Sequence, residues 1–152
     1  MKLAEALQER ADLNRKIDEL GRRLNNCILV QEGEEPPEDP AELLGELDEA
    51  AARLATLMAS INLTNSRTKA DGLTLTQLIA RKDALTVQLA AYRSLVSTAG
   101  QSTHRARGTE IRIKALLKAS ELQKRADQLA GEIRRLDNLL QETNWKTKLI
   151  EL

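Results

Sequence analysis

Nucleophilic chemistry in this chain depends on two residue types that each occur once, as Cys27 and His104. A cysteine or serine nucleophile needs a nearby base, usually a histidine, and no local motif links these two residues. Zinc needs several cysteine or histidine ligands, and a di-iron site in a helical bundle needs two Glu-x-x-His motifs. We therefore expect no metal and no cofactor, and we expect Cys27 to be an ordinary buried side chain.

Carboxylates are the remaining candidates for catalysis. Glu46 and Glu49 are three residues apart, a spacing with which two facing helices can hold Mg²⁺, but the next helix offers Asp83 alone. A Mg-dependent enzyme that handles a nucleotide or another small ligand is therefore an alternative, and a solvated helix face is the simpler interpretation. The seven glycines are scattered and form no phosphate-binding loop.

Asparagine and threonine recur near the ends of two predicted helices. Their side chains compete with the helix backbone for hydrogen bonds, so they are not neutral choices inside a helix. The simpler interpretation is hydrogen bonding between helix ends. The sharper hypothesis is a polar ligand pocket covered by the single tryptophan, and its residues are Asn62, Thr64, Asn65, Asn144 and Trp145.

Charge is unevenly distributed, although 23 basic and 23 acidic side chains give a formal net charge of zero. Residues 32–49 contain nine acids and no base, whereas bases dominate residues 104–125. We predict that the two segments contact each other, within one subunit or between subunits. Solvated segments, or a basic segment bound to the phosphates of nucleic acid or lipid, are alternatives. The candidate contact residues are Glu34, Glu35, Arg105, Arg107 and Arg112.

Four long amphipathic helices should position these residues, because apolar side chains recur at alternating three- and four-residue spacing. The predicted helices span residues 2–26, 40–67, 75–99 and 121–145, and Ser120 with Gln123 predicts a capping box for the last. One tryptophan, one tyrosine and no phenylalanine mean that their core must be aliphatic. The fold class is therefore mainly α, an antiparallel bundle of about four long helices in a single domain, residues 1–152.

The second helix carries two adjacent apolar lines. The first includes Leu43, Leu47 and Ala50, and the second consists of Leu44, Ala51 and Met58. Two lines on one helix indicate contact with more than one partner, as in a bundle or an oligomer.

A short two-stranded β element is also expected. Residues 111–114 alternate between isoleucine and basic side chains, and residues 27–30 form an apolar run rich in β-branched side chains. We predict that these two segments pair beside the acidic loop, the part of the acidic segment that lies between the first two predicted helices. Residues 69–72 are predicted to form a turn.

The segments KLAEAL, QEGEEPPEDP, INLTN, DGLTLTQLIARKDAL and LQKRADQLAGEIRRLDNLLQETNW together resemble a bacterial family of short helical proteins labelled septicolysin. The resemblance covers nearly the whole chain in the right order. It implies a helical fold with a small strand element and assembly from several copies. It supplies no activity and no site residues, although its label implies membrane lysis.

These observations favour a self-assembling interaction protein without catalytic activity, and a homo-oligomer. A Mg-dependent enzyme and a septicolysin-type lytic protein are the alternatives. The first residues carry acids from residue 5 onward and no apolar run, and no segment approaches the ~18 apolar residues of a membrane span, so we expect a cytoplasmic protein. No nucleic-acid, membrane or protein partner can be named.

Overall fold

The computed structural model describes residues 1–103 and 111–152, which form four long helices. They are α1 (Leu3–Cys27), α2 (Pro40–Arg67), α3 (Leu75–Ala99) and α4 (Ala119–Lys146), and a short 3₁₀ segment, Gly100–Thr103, follows α3. Two strands, β1 (Lys69–Ala70) and β2 (Leu73–Thr74), form one antiparallel sheet. The prediction of a mainly α fold with four long helices and a small two-stranded element is confirmed.

Local side chains set the start of two helices. Asp39 accepts a hydrogen bond from Ala41 N at 3.0 Å, and Pro40 is the first residue of α2. Thr74 and Gln77 form a reciprocal capping box before α3, because each side chain accepts from the backbone N–H of the other, at 3.1 and 2.9 Å. Both starts agree with the sequence patterns.

The start of α4 differs from the prediction. The carbonyl of Lys118 accepts from Glu121 N and Leu122 N at 3.2 and 3.1 Å, so the helix begins at Ala119. The predicted capping box of Ser120 with Gln123 is therefore wrong, because Ser120 already lies inside the helix.

The predicted pairing of residues 27–30 with 111–114 is also wrong. Helix α1 continues through Cys27, and residues 28–30 form no strand. The sheet lies instead at residues 69–74, and its two strands enclose a turn at residues 71–72, within the turn predicted at residues 69–72. Asp71 and Gly72 have φ angles of 51° and 80°, the left-handed conformation of a two-residue hairpin loop, and Asp-Gly is a sequence typical of such loops.

The described chain divides into two compact units, residues 1–69 with 143–152, and residues 70–142. In the first unit, α1 packs on α2 around a cluster of buried Leu20, Cys27 and Leu43. Cys27 is buried and unpaired with another cysteine, in agreement with the sequence. The first unit therefore has its own aliphatic core.

The second unit has a separate cluster, in which Leu89 of α3 packs with Ala126 and Leu129 of α4. Lys82 Nζ donates to Asp137 Oδ1 at 2.6 Å and links the same two helices. The single-domain prediction stays a prediction. Within residues 1–103 and 111–152, no helix carries an apolar stretch long enough to cross a membrane.

Candidate functional site

Thr64 is the most deeply buried of the predicted pocket residues, with 0% of its surface exposed. Its Oγ1 donates to the carbonyl of Ser60, one turn earlier in α2, at 2.8 Å. The same oxygen accepts from Ile150 N at 2.9 Å. The hydroxyl therefore joins α2 to residues 147–152, which follow α4 and are called the C-terminal segment below.

Ser60 provides a second anchor for the C-terminal segment. It is buried, and its Oγ accepts from Leu152 N at 3.3 Å. Residues two apart in an extended chain are ~6.6 Å apart, and residues four apart in a helix are separated by ~6 Å along the axis. The two spacings match, so alternate N–H groups of the segment meet successive hydroxyls of α2.

The first residues of the chain hold the C-terminal segment on another side. Leu3 N donates to Thr147 O and Leu149 N donates to Met1 O, both at 2.9 Å. Lys2 and Lys148 form an antiparallel bridge between these bonds. The segment after α4 is therefore held by backbone pairing at residues 147–149 and by two side-chain hydroxyls at residues 150 and 152.

The other predicted pocket residues lie in different environments. Asn144 is buried and Asn65 is half-buried, whereas Asn62 is exposed and Trp145 is 51% exposed. Thr64 contacts its own helix and the C-terminal segment, and both hydrogen bonding between helix ends and a ligand pocket stay predictions. Sequence reasoning missed Ser60, although a serine four residues before Thr64, next to buried Ile61, was a readable signal.

An ion pair lies beside the same part of the molecule. Arg53 of α2 donates to Glu9 of α1 through Nε and Nη2, at 2.6 and 2.9 Å. Hydrogen bonding from Arg53 holds the pKa of Glu9 below its usual value, although partial burial opposes the shift. The pKa of Arg53 is raised, first by Glu9 and more weakly by Glu151 of the C-terminal segment.

The predicted acidic and basic contact residues are only partly described. Glu34, Glu35 and Arg112 are exposed, and Arg105 and Arg107 lie outside the described residues. Glu38 of the acidic loop binds Arg23 of α1, with 3.0 Å between Nε and Oε2, and this hydrogen bond lowers the pKa of Glu38. Part of the acidic charge is thus compensated by α1, and the predicted contact between the two segments stays a prediction.

The carboxylate candidates for catalysis are all exposed. Glu46 and Glu49 belong to the first unit and Asp83 to the second. Among the residues that the structure describes, no three histidine, cysteine or acidic side chains are grouped to hold a metal ion. His104 lies outside the described residues.

The second apolar line of α2 is exposed to solvent. Leu44 is 52% exposed and Met58 is 44% exposed, and Ala51 between them is also exposed. We call Leu44, Ala51 and Met58 the outer seam of α2. In the line next to it Leu43, Ala50, Leu57 and Ile61 are buried, whereas Leu47 and Leu54 are half-buried.

Comparisons with known proteins give no activity. The model of a family of unknown function (DUF6847) matches residues 10–149. The chain is similar to the crystal structure of a functionally unknown conserved protein from Corynebacterium diphtheriae, with 38% sequence identity, a TM-score of 0.91 and 99% of each chain covered. No curated protein matches the chain.

Proposed function

The chain belongs to a family of unknown function (DUF6847), and we propose from features of its surface that it is a non-enzymatic helical protein that assembles with copies of itself. The outer seam of α2 is the observation that supports this proposal. Leu44, Ala51 and Met58 are spaced by seven residues, the repeat with which one helix meets another along a narrow contact. Each of these side chains is left exposed by the part of the chain that the structure describes.

The length of the seam suits a helix–helix contact. Leu44 and Met58 are separated by fourteen residues, which corresponds to ~21 Å along the helix axis. Ala51 at the middle of the seam carries a small side chain, so the backbone of a partner helix can approach closely there. A second copy that presents the same seam would cover all three residues at once, as in an isologous dimer.

The electrostatics of the chain favour self-association as well. The formal net charge is zero, so copies experience little overall repulsion at neutral pH. Exposed acids of residues 32–49 and exposed bases of residues 111–125 provide complementary charges that would orient two copies. The seam supplies the apolar area, and these segments add specificity.

The test is the molar mass in solution, measured by size exclusion with light scattering. Wild-type protein should give one discrete oligomer, and Ala51→Glu should give a monomer because a carboxylate would be buried without a partner in the contact. Ala52→Glu is the matched control, since it adds the same charge at an exposed site ~100° away around the helix.

Retention of the wild-type oligomer in Ala52→Glu and its loss in Ala51→Glu would support assembly through the outer seam. A monomeric wild-type protein at ~100 μM, well above the Kd of a stable complex, would rule out the proposal. Equal effects of the two substitutions would show that the contact between copies does not lie at the outer seam.

A further inference from the structure

The second unit contains a cavity of about 450 Å³ between the last turns of α3, residues 113–117 and the first turn of α4. This volume lies within the range of small-molecule sites, ~300–1,000 Å³. Most of the side chains that line the cavity are aliphatic, and they include those of Leu95, Ala99, Ile113, Leu116, Leu117 and Leu122.

The aliphatic lining is incompletely covered by the described chain. Leu116 is 89% exposed and Leu117 is 61% exposed, although both are leucines beside a concave surface. Contiguous exposed apolar surface is unfavourable in water and typically marks a binding site. A ligand with an apolar part would cover this surface.

The rim of the cavity is cationic. A second depression shares Ala99, Ile113 and Lys114 with the cavity and adds Arg112 and Lys118. Among the described residues that line the two, none is acidic. The occupant should therefore carry a negative charge on the side that faces this depression.

The start of α4 reinforces the positive potential at the rim. Ala119 and Ser120, the first two residues of this 28-residue helix, line the second depression. The N-terminal end of a helix carries a partial positive charge and favours anions. This contribution adds to the three cationic side chains and points in the same direction.

We propose that this cavity binds a single-chain amphiphilic anion, such as a long-chain carboxylate. The hydrocarbon chain lies among the leucines, and the anionic head lies between Arg112, Lys114 and Lys118. None of the described lining residues is aromatic, and an aliphatic lining suits a flexible hydrocarbon chain better than a planar ring. This binding site shares no residue with the outer seam of α2, although its three bases belong to the basic segment that would orient two copies.

The experiment is a fluorescence titration with dansylaminoundecanoic acid, followed by displacement. The probe should brighten on binding and should be displaced by dodecanoate below its micelle concentration. Butyrate, which lacks the chain, should not displace it, and dodecanol, which lacks the charge, should require at least roughly tenfold more ligand. Displacement by butyrate, or equally well by dodecanol and dodecanoate, would overturn the proposal.

Matched variants localise the binding. Lys114→Glu should lower the affinity for the probe by roughly tenfold or more. Lys69→Glu, the same change at an exposed lysine outside the cavity, should leave the affinity unchanged. Ala99→Phe should lower the affinity for the probe because the larger side chain would fill part of the cavity. Because Ala99 is half-buried and its replacement affects packing, the exposed Lys114 provides a test that does not depend on the core.

Two further results would contradict the proposal. One is equal affinity of Lys114→Glu and Lys69→Glu. The other is binding to vesicles of anionic phospholipid without any binding of monomeric dodecanoate, which would indicate a membrane surface as the partner. The titration is repeated with Ala51→Glu, and unchanged affinity there separates this site from the oligomer contact.

Discussion

At the scale of one residue, Thr64 shows how a buried side-chain hydroxyl accepts a backbone hydrogen bond that the carbonyl of a neighbouring strand would otherwise accept. The C-terminal segment offers backbone N–H groups, and Thr64 and Ser60 accept two of them. A buried N–H without an acceptor is costly, so these hydroxyls help to hold the segment against α2. Sequence patterns identified Thr64 as unusual but could not identify its partner, since Ile150 is 86 residues away and contributes only its backbone.

We expect Thr64→Val to destabilise the protein by ~1–3 kcal/mol, because the shape is kept while Ile150 N loses its acceptor. Urea unfolding followed by circular dichroism measures the change. Thr56→Val is the matched control, since Thr56 also donates to a carbonyl four residues earlier in α2 but is exposed, and its cost should stay within ~0.5 kcal/mol. Equal costs for both substitutions would show that the bond to Ile150 contributes nothing.

The helices were predictable at the scale of elements, because apolar spacing is set by burial along the whole length of a helix. The bounds of α2, 40–67, agree with the sequence patterns, since Asp39 and Pro40 mark its start by local chemistry. The strand pair was misplaced because four alternating residues at 111–114 are too few to distinguish a strand from an irregular segment. The hairpin at Asp71-Gly72 had the stronger local signal.

Acid should weaken the contact between α1 and α2 through Glu9. Its pKa is lowered in the folded chain by Arg53, so the unfolded chain takes up the proton first as the pH falls. The pair therefore adds stability above the unfolded-state pKa of about 4.3, and loses it as the pH falls through the lower folded-state value. The stability difference between wild type and Glu9→Gln should shrink from about pH 7 to about pH 3.

The double-mutant cycle isolates this effect. In an Arg53→Gln background the hydrogen bonds to Glu9 are absent, so Glu9→Gln should show little dependence on pH between the same limits. Unfolding in urea at each pH measures all four proteins. A difference that persists unchanged in the Arg53→Gln background would assign the pH dependence to another contact of Glu9.

At the scale of the whole molecule, the response of the oligomer to salt distinguishes an apolar contact from a charged one, because zero net charge leaves little overall repulsion between copies. A contact through the outer seam buries apolar side chains and should persist in 1 M salt, where charges are screened beyond ~3 Å. A contact made only by the acidic and basic segments should dissociate there. Light scattering at ~0.1 and ~1 M NaCl distinguishes the two, and dissociation at high salt would contradict a seam-based oligomer.

The sequence showed two apolar lines on α2 but could not say what covers the second. Spacing reports which side chains share a face, whereas the identity of a neighbour depends on residues far away in the chain. Leu47 illustrates the same limit, since it belongs to the first apolar line and is only half-buried. The cavity of the second unit was not predicted from the sequence, because its wall includes Ile113 and Lys114, which were assigned to a strand.

The hydrogen bonds between residues 1–3 and 147–149 bring the two ends of the sequence side by side. The order of the elements is therefore nearly cyclic, and a short peptide linker from residue 152 to residue 1 would close a ring. The exposed loop before α2, with Gly33 at a φ of 86°, lies outside every helix and strand. A circularly permuted chain that begins at this loop would keep each helix intact and would make α2 the first helix and α1 the last.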